Sequence, residues 1–300
     1  MPRVIDNPDE SMIYLDECVE ALDETGFDPR DPESLDHAAG LLRCLGNNRT
    51  FLGEMLVDEL AASASSEEGA SHYGPQVIML APPHGKDFFI RANIWPSEDE
   101  HMMRASGAST FVYGFPHDHN FDFLTLGYFG PGYWSDYYEY EYEDVAGARG
   151  EPVALRFVER SALCEGKLMH YRAHRDVHAQ IPADSLSVSL NVMHATPTQA
   201  WFDQYSFDVE KGTVGRIVSN GANEAFLKIA VGLGGEEAID LADRFGRKHP
   251  SDRMRLAAWE ALASVAGSSG ARDSVWRDAE RSGSRLVAAE ARLRRGALIG

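Results

Sequence analysis

Two of the eleven histidines stand two residues apart, in the segment Phe115-Pro-His117-Asp-His119-Asn-Phe-Asp-Phe123. On a β-strand alternate side chains share a face, spaced roughly 6.6–7 Å along the chain, so His117 and His119 are expected to project together. Two imidazoles that converge in this way can chelate one divalent metal at about 2.0–2.2 Å each. Three further histidines follow within sixty residues. They are His170, His174 and His178, and the last is expected on a short strand after a turn. The same parity puts Phe121 and Phe123 on the face of His117 and His119, where they would wall a dry pocket. Before His178, the even positions His170, Arg172 and His174 alternate with Met169, Tyr171 and Ala173. One set must face inward. If it is the even set, Arg172 could grip a substrate carboxylate through two parallel hydrogen bonds, and His174 could steady a ligand or carry a proton.

These side chains need a β scaffold, and residues 71–219 read as one. Short β-rich runs occur at 76–80, 87–94, 109–113, 124–128, 137–142, 152–158, 167–173, 186–193, 201–209 and 215–219, separated by Gly, Pro, Asp and Asn. That spacing suggests an antiparallel sandwich or barrel. Glu210–Val214 reads as a hairpin turn. The turn Gly127-Tyr-Phe-Gly-Pro-Gly-Tyr-Trp134 puts Tyr133 and Trp134 where a pocket mouth would be, while Tyr138, Tyr140 and Tyr142 read as an aromatic face for sheet packing. His72, His84, His101, His194 and His249 fall in loops or at strand ends and are expected to be structural.

Helical periodicity flanks the β region. In residues 1–70, Met12, Leu15, Val19 and Leu22 form one helical face, and a second periodic run extends from about Leu35 to Leu60. Residues 62–74 read as a small, polar linker. In residues 220–300, runs at 223–231, 235–246, 251–263, 271–281 and 284–297 look helical, with Ser251 as the N-cap of the third. The segment from His249 to Ala263 resembles a single HEAT-type repeat, which implies stacked helices used for packing or protein contact.

The β region resembles the cupin superfamily, a double-stranded β-helix or jelly-roll barrel. His117 and His119 match its histidine pair, Gly130 its closing glycine and His178 its third ligand. The strand Ser185-Leu-Ser-Val-Ser-Leu-Asn-Val-Met193 is similar to the one that follows in cysteine-dioxygenase-like members. The resemblance implies a three-histidine metal site. Where many cupins carry a ligating glutamate this chain has Phe123 and Leu124, and Ala173 and Arg175 stand where Pro and Gly are expected. A carboxylate could still come from Asp122, which on a regular strand points away from the histidines and would need a bulge to turn inward.

Three neutral imidazoles leave a metal its full double positive charge and open positions. That suits Fe(II) with a substrate and O2 bound side by side, although imidazoles also accept Zn, Mn, Ni and Cu. The expected function is a mononuclear non-haem iron oxygenase or dioxygenase acting on a small molecule such as an amino acid or a derivative. Use of 2-oxoglutarate fits less well, since that class pairs a histidine with a carboxylate. Haem has no attachment motif here. The alternatives are a non-oxidative metal-dependent isomerase or lyase, and a non-enzymatic scaffold for a protein partner.

Composition narrows the partners. The formal net charge is −19, which disfavours nucleic acid and anionic membranes. The N-terminus lacks the basic start and apolar stretch of a secretory signal, and the three cysteines form no pattern, so a cytoplasmic setting is expected. An open sheet edge would favour a homodimer. P-loop, dinucleotide-binding, GxSxG and HExxH motifs are all missing.

Overall fold

A computed structural model describes residues 2–65, 75–83, 85–219 and 221–299. Most of the expected linker, and His72 and His84, lie outside these residues. The chain divides into two compact units, Met1–Tyr140 with Leu155–Pro197, and Glu141–Ala154 with Thr198–Gly300.

The first unit opens with β1 (Arg3–Ile5), then α1 (Leu15–Thr25), α2 (Pro32–Asn47) and α3 (Phe51–Ser65). It continues through β2 (Val77–Ala81), β3 (Phe88–Trp95), α4 (His101–Ser106), β4 (Phe123–Phe129) and β5 (Trp134–Glu139). It ends with β6 (Arg156–Ala162), β7 (Leu168–Tyr171), β8 (Asp176–Ile181) and β9 (Ser187–His194). All strand pairs are antiparallel. One sheet has the order β1-β7-β4-β9-β3-β2, and a smaller one the order β6-β5-β8.

Alternation along the large sheet separates two cores. Ile90, Ala92, Leu124, Leu126, Leu190 and Val192 pack on Cys18 and Leu22 of α1, Leu42 and Leu45 of α2, and Phe51 of α3. On the opposite face Trp95, Phe123, Met169, Tyr171 and Met193 cluster with Tyr133 and with Tyr137 of β5. That second cluster joins the two sheets and surrounds the histidines.

Several expected elements shift. Met12 is exposed, because α1 begins only after Tyr14, whose backbone N–H donates to Glu17 Oε2 at 2.7 Å. The single run expected from 35 to 60 is broken at Asn48. Its Oδ1 accepts from the N–H groups of Thr50 and Phe51 and starts α3 afresh. Residues 62–65 of the expected linker complete α3. The strand expected at 109–113 is instead a 3-10 turn over Ala108–Phe111, and the one expected at 137–142 starts and ends three residues earlier. Of the three cysteines, Cys18 and Cys44 are buried and Cys164 is exposed.

The second unit contains the hairpin β10 (Tyr205–Asp208) and β11 (Thr213–Ile217), joined at the expected turn. Five helices follow near the expected positions: α5 (Ala222–Gly232), α6 (Glu236–Lys248), α7 (Asp252–Ser264), α8 (Ser269–Glu280) and α9 (Arg285–Ile299). Ser251 caps α7, its hydroxyl accepting from Met254 N–H at 3.3 Å. Among the described residues, no helix is long and apolar enough to cross a membrane.

Candidate metal centre

His117, His119 and His178 come together. Each offers a ligand nitrogen, and these atoms lie within 4.8 Å of one another. His178 belongs to β8. The arm bearing His117 and His119 is not the regular strand expected from their spacing. His117 alone makes a bridge, exchanging backbone hydrogen bonds with His178 at 3.0 Å each way. His119 is held separately, its carbonyl accepting from His174 N–H at 2.8 Å.

Hydrogen bonding sets which ring atoms are free. His117 Nδ1 lies 2.7 Å from the Phe115 carbonyl, so Nδ1 carries the proton and Nε2 keeps its lone pair. The Nε2 atoms of His119 and His178 stand 3.1 Å apart, while both Nδ1 atoms are buried without a partner. Burial pushes the His117 imidazole down to about 4 and holds His119 and His178 well below the ordinary histidine value, reinforced by the rings beside them. The three are therefore neutral at pH 7.

This donor set fits a divalent cation. Nitrogens that share one ion with bonds of about 2.1 Å stand roughly 3.0–3.4 Å apart when cis, which brackets the spacing of His119 and His178. Without a cation, two ring nitrogens at this distance must share one proton or set lone pair against lone pair.

The walls are aromatic. Phe121 and Phe123 pack on His119 with ring centroids 5.0 and 4.9 Å away. Tyr171 stacks on Phe123 at 4.5 Å and meets His178 edge-on at 5.0 Å. Its hydroxyl pairs with that of Tyr137 at 2.9 Å. Behind the arm, buried Asp118 accepts from Tyr140 Oη at 2.5 Å.

The other expected site residues lie elsewhere. The odd set of β7 faces the histidines, through Met169 and Tyr171. Arg172 is turned away and neutralised, donating to Asp176 at 2.6 and 3.0 Å and to Glu139 at 2.8 Å. Asp122 is outside the three-histidine group and bonds His170 Nε2 at 3.1 Å. His174 sits by Asp122, with burial lowering it to about 4 against the pull of that carboxylate. Tyr133 is buried with its ring 4.0 Å from that of Trp95, whereas Trp134 is exposed.

Two residues escaped the sequence reading, and parity with His178 could have found the second. Arg91 is in cross-strand register with Asn191, and Asn191 with Thr125, on the inner face of the large sheet. Its Nε is buried without a hydrogen-bond partner, and among the described residues no carboxylate pairs with it. Burial lowers its pKa, and it stands close enough to His119 to disfavour a second positive charge there. Thr125 Oγ1 and Asn93 Oδ1 are likewise buried and unpartnered. The other residue is Gln180, two positions after His178 on β8.

Compared with known proteins, the chain matches no family model and no curated protein. Among solved structures it is similar to hydroquinone 1,2-dioxygenase from Sphingomonas sp. TTNP3 with 4-hydroxybenzoate bound. The identity is 11% and the TM-score 0.25, over 42% of this chain and 68% of that one. The functional reading therefore rests on the side chains.

Proposed function

We propose that this protein is a cupin-like, mononuclear metal-dependent oxygenase, with Fe(II) held by His117, His119 and His178 and a small anionic substrate held by Arg91. The observation that carries the reading is the convergence of three neutral imidazoles, His117 and His178 buried and His119 half-buried, two of them with ring nitrogens 3.1 Å apart. When bound, the iron would supply redox chemistry with O2, and three neutral protein ligands would leave it open positions and its double positive charge.

The chain's own residues do the rest. Phe121, Phe123 and Tyr171 exclude water from one side of the site. Arg91 is a half-buried cation whose inward Nε has no partner and which no carboxylate among the described residues pairs with, and such a group is stabilised by an anion that neutralises it. A carboxylate meeting Arg91 would lie on the inner sheet face, with the Thr125 hydroxyl and the Asn93 side chain as further polar neighbours.

The test is anaerobic purification with metal analysis, followed by O2 uptake with a panel of small carboxylates, alongside a His178→Ala variant. Near-stoichiometric iron and substrate-dependent O2 uptake, both lost in the variant, are expected. Bound zinc or manganese without O2 uptake would favour the isomerase or lyase reading. No metal after reconstitution would overturn the proposal and leave the scaffold reading.

A further inference from the structure

We propose that Gln180 is a fourth protein ligand, its side-chain oxygen joining the three histidines on the metal. This rests on the three-histidine reading. On β8 the residues 178 and 180 share a face, so the second arm carries its own pair two residues apart, with His178 opposite His117 and Gln180 beside Gly114, whose N–H donates to its carbonyl. Gln180 is 4% exposed. Its Oε1 is buried without a hydrogen-bond partner, and its Nε2 stands 3.2 Å from His178 Nε2. That ring nitrogen is also the one facing His119 Nε2 at 3.1 Å.

Two polar atoms therefore crowd one nitrogen, while a third polar atom of the same group is stranded. A neutral imidazole nitrogen holds one proton or one lone pair, so it cannot serve both neighbours. A cation on His178 Nε2 resolves the conflict. It takes the lone pair, and the amide N–H, having lost its acceptor, would then face a positive charge. Half a turn of the carboxamide exchanges its oxygen and nitrogen with little change in position. The oxygen then sits near 3.2 Å from His178 Nε2, within the roughly 3.0–3.4 Å expected between cis ligands of one ion. The orphaned acceptor gains its partner in the same movement.

A carboxamide also suits the charge of the site. Being neutral, it leaves the metal its double positive charge for an anionic substrate. A carboxylate at this position would cancel part of that attraction.

The experiment uses the full chain, stripped of metal and titrated with Co(II). Affinity and the visible ligand-field spectrum are read for the wild type, Gln180→Leu, Gln180→Glu and His178→Ala, with thermal melts as a check on folding. The wild type should bind one Co(II) per chain. Gln180→Leu should keep that stoichiometry with affinity weaker by roughly tenfold or more and a changed spectrum. Gln180→Glu should restore or exceed wild-type affinity, an outcome that a merely packing role would not give. Wild-type affinity and spectrum in Gln180→Leu, or weakened binding in Gln180→Glu, would overturn the proposal while the three-histidine site stands. Absence of Co(II) binding by the wild type would instead overturn the three-histidine reading and this proposal with it.

Discussion

His117 and His178 exchange both of their backbone hydrogen bonds at 3.0 Å. In an antiparallel pair of that kind the Cα atoms lie about 5.5 Å apart and the side chains leave the same face. The convergence of these rings is thus set by the backbone. Side-chain rotamers then need only small adjustments to close on an ion, which reduces the ordering cost of binding.

Metal should therefore stabilise the fold measurably. At a free metal concentration a hundred times the dissociation constant, linkage gives about 2.7 kcal/mol. For a folding unit of this size that is a rise in Tm of roughly 5 °C or more. Differential scanning calorimetry of the metal-loaded and chelator-treated protein should show the rise, and His178→Ala should show none. An equal rise in that variant would place the metal elsewhere.

The metal-free protein should lose stability as pH falls from about 6.5 to about 4. An unfolded histidine titrates near 6.5. His117 and His174 titrate at about 4 when folded, because burial disfavours their charged forms, and His119 and His178 lie lower than ordinary histidine. Across that window the unfolded chain binds more protons, so stability declines with falling pH. A shift of this size in one group corresponds to on the order of 3 kcal/mol. Asp203 acts in the opposite sense. Burial raises it to about 6 against the pull of Arg253, so its contribution improves as pH falls toward 4. The histidines outnumber it. Melting curves from pH 8 to pH 4.5 should slope downward below 6.5, less steeply for His117→Gln. A level profile would contradict the burial of neutral imidazoles.

Periodicity made the architecture legible where burial is one-sided. Val188, Leu190 and Val192 alternate because one face of β9 meets the helices, and the helices of the second unit show their apolar stripes. The histidine arm was harder to read. Two residues of spacing suggested a strand, yet only His117 bridges β8, while the carbonyl of His119 accepts from His174 N–H instead. Arg172 is a candidate only if the even positions before His178 face inward, and the structure turns the odd set inward and Arg172 to Asp176 and Glu139. Arg91 went unnoticed because its strand is far from the histidines in sequence. Only the register of β3, β9 and β4 brings it to their side of the sheet.

Gly132 is a point where the fold tolerates no side chain. It links β4 to β5 with φ 82, and a Cβ there would stand 1.9 Å from the Leu163 carbonyl oxygen. That carbonyl cannot easily retreat, because Leu163 N–H is bonded to the Tyr133 oxygen at 2.9 Å. Gly132→Ala should cost more than the roughly 1–2 kcal/mol of left-handed strain alone. Urea denaturation should show a clear fall in midpoint. A wild-type midpoint would mean that this turn relaxes freely.

Arg91 sets stability against binding. A half-buried cation without a paired carboxylate is unfavourable in the absence of an anion, so replacing it by an apolar chain of similar length should stabilise the protein. Arg91→Met is expected to raise the unfolding free energy by about 0.5–2 kcal/mol, the usual range for relieving a functional group of this kind. It should leave metal content unchanged, since the guanidinium is not a ligand. Binding of small carboxylates to the metal-loaded protein, followed by calorimetry, should fall by roughly a hundredfold, in line with the loss of about 3 kcal/mol from a charge-assisted pair. Arg91→Lys keeps the charge but loses the planar fork, and should recover only part of that affinity. A destabilised Arg91→Met protein that still binds carboxylates as the wild type does would show that Arg91 is a packing residue, and the anion would then have to be held by other groups.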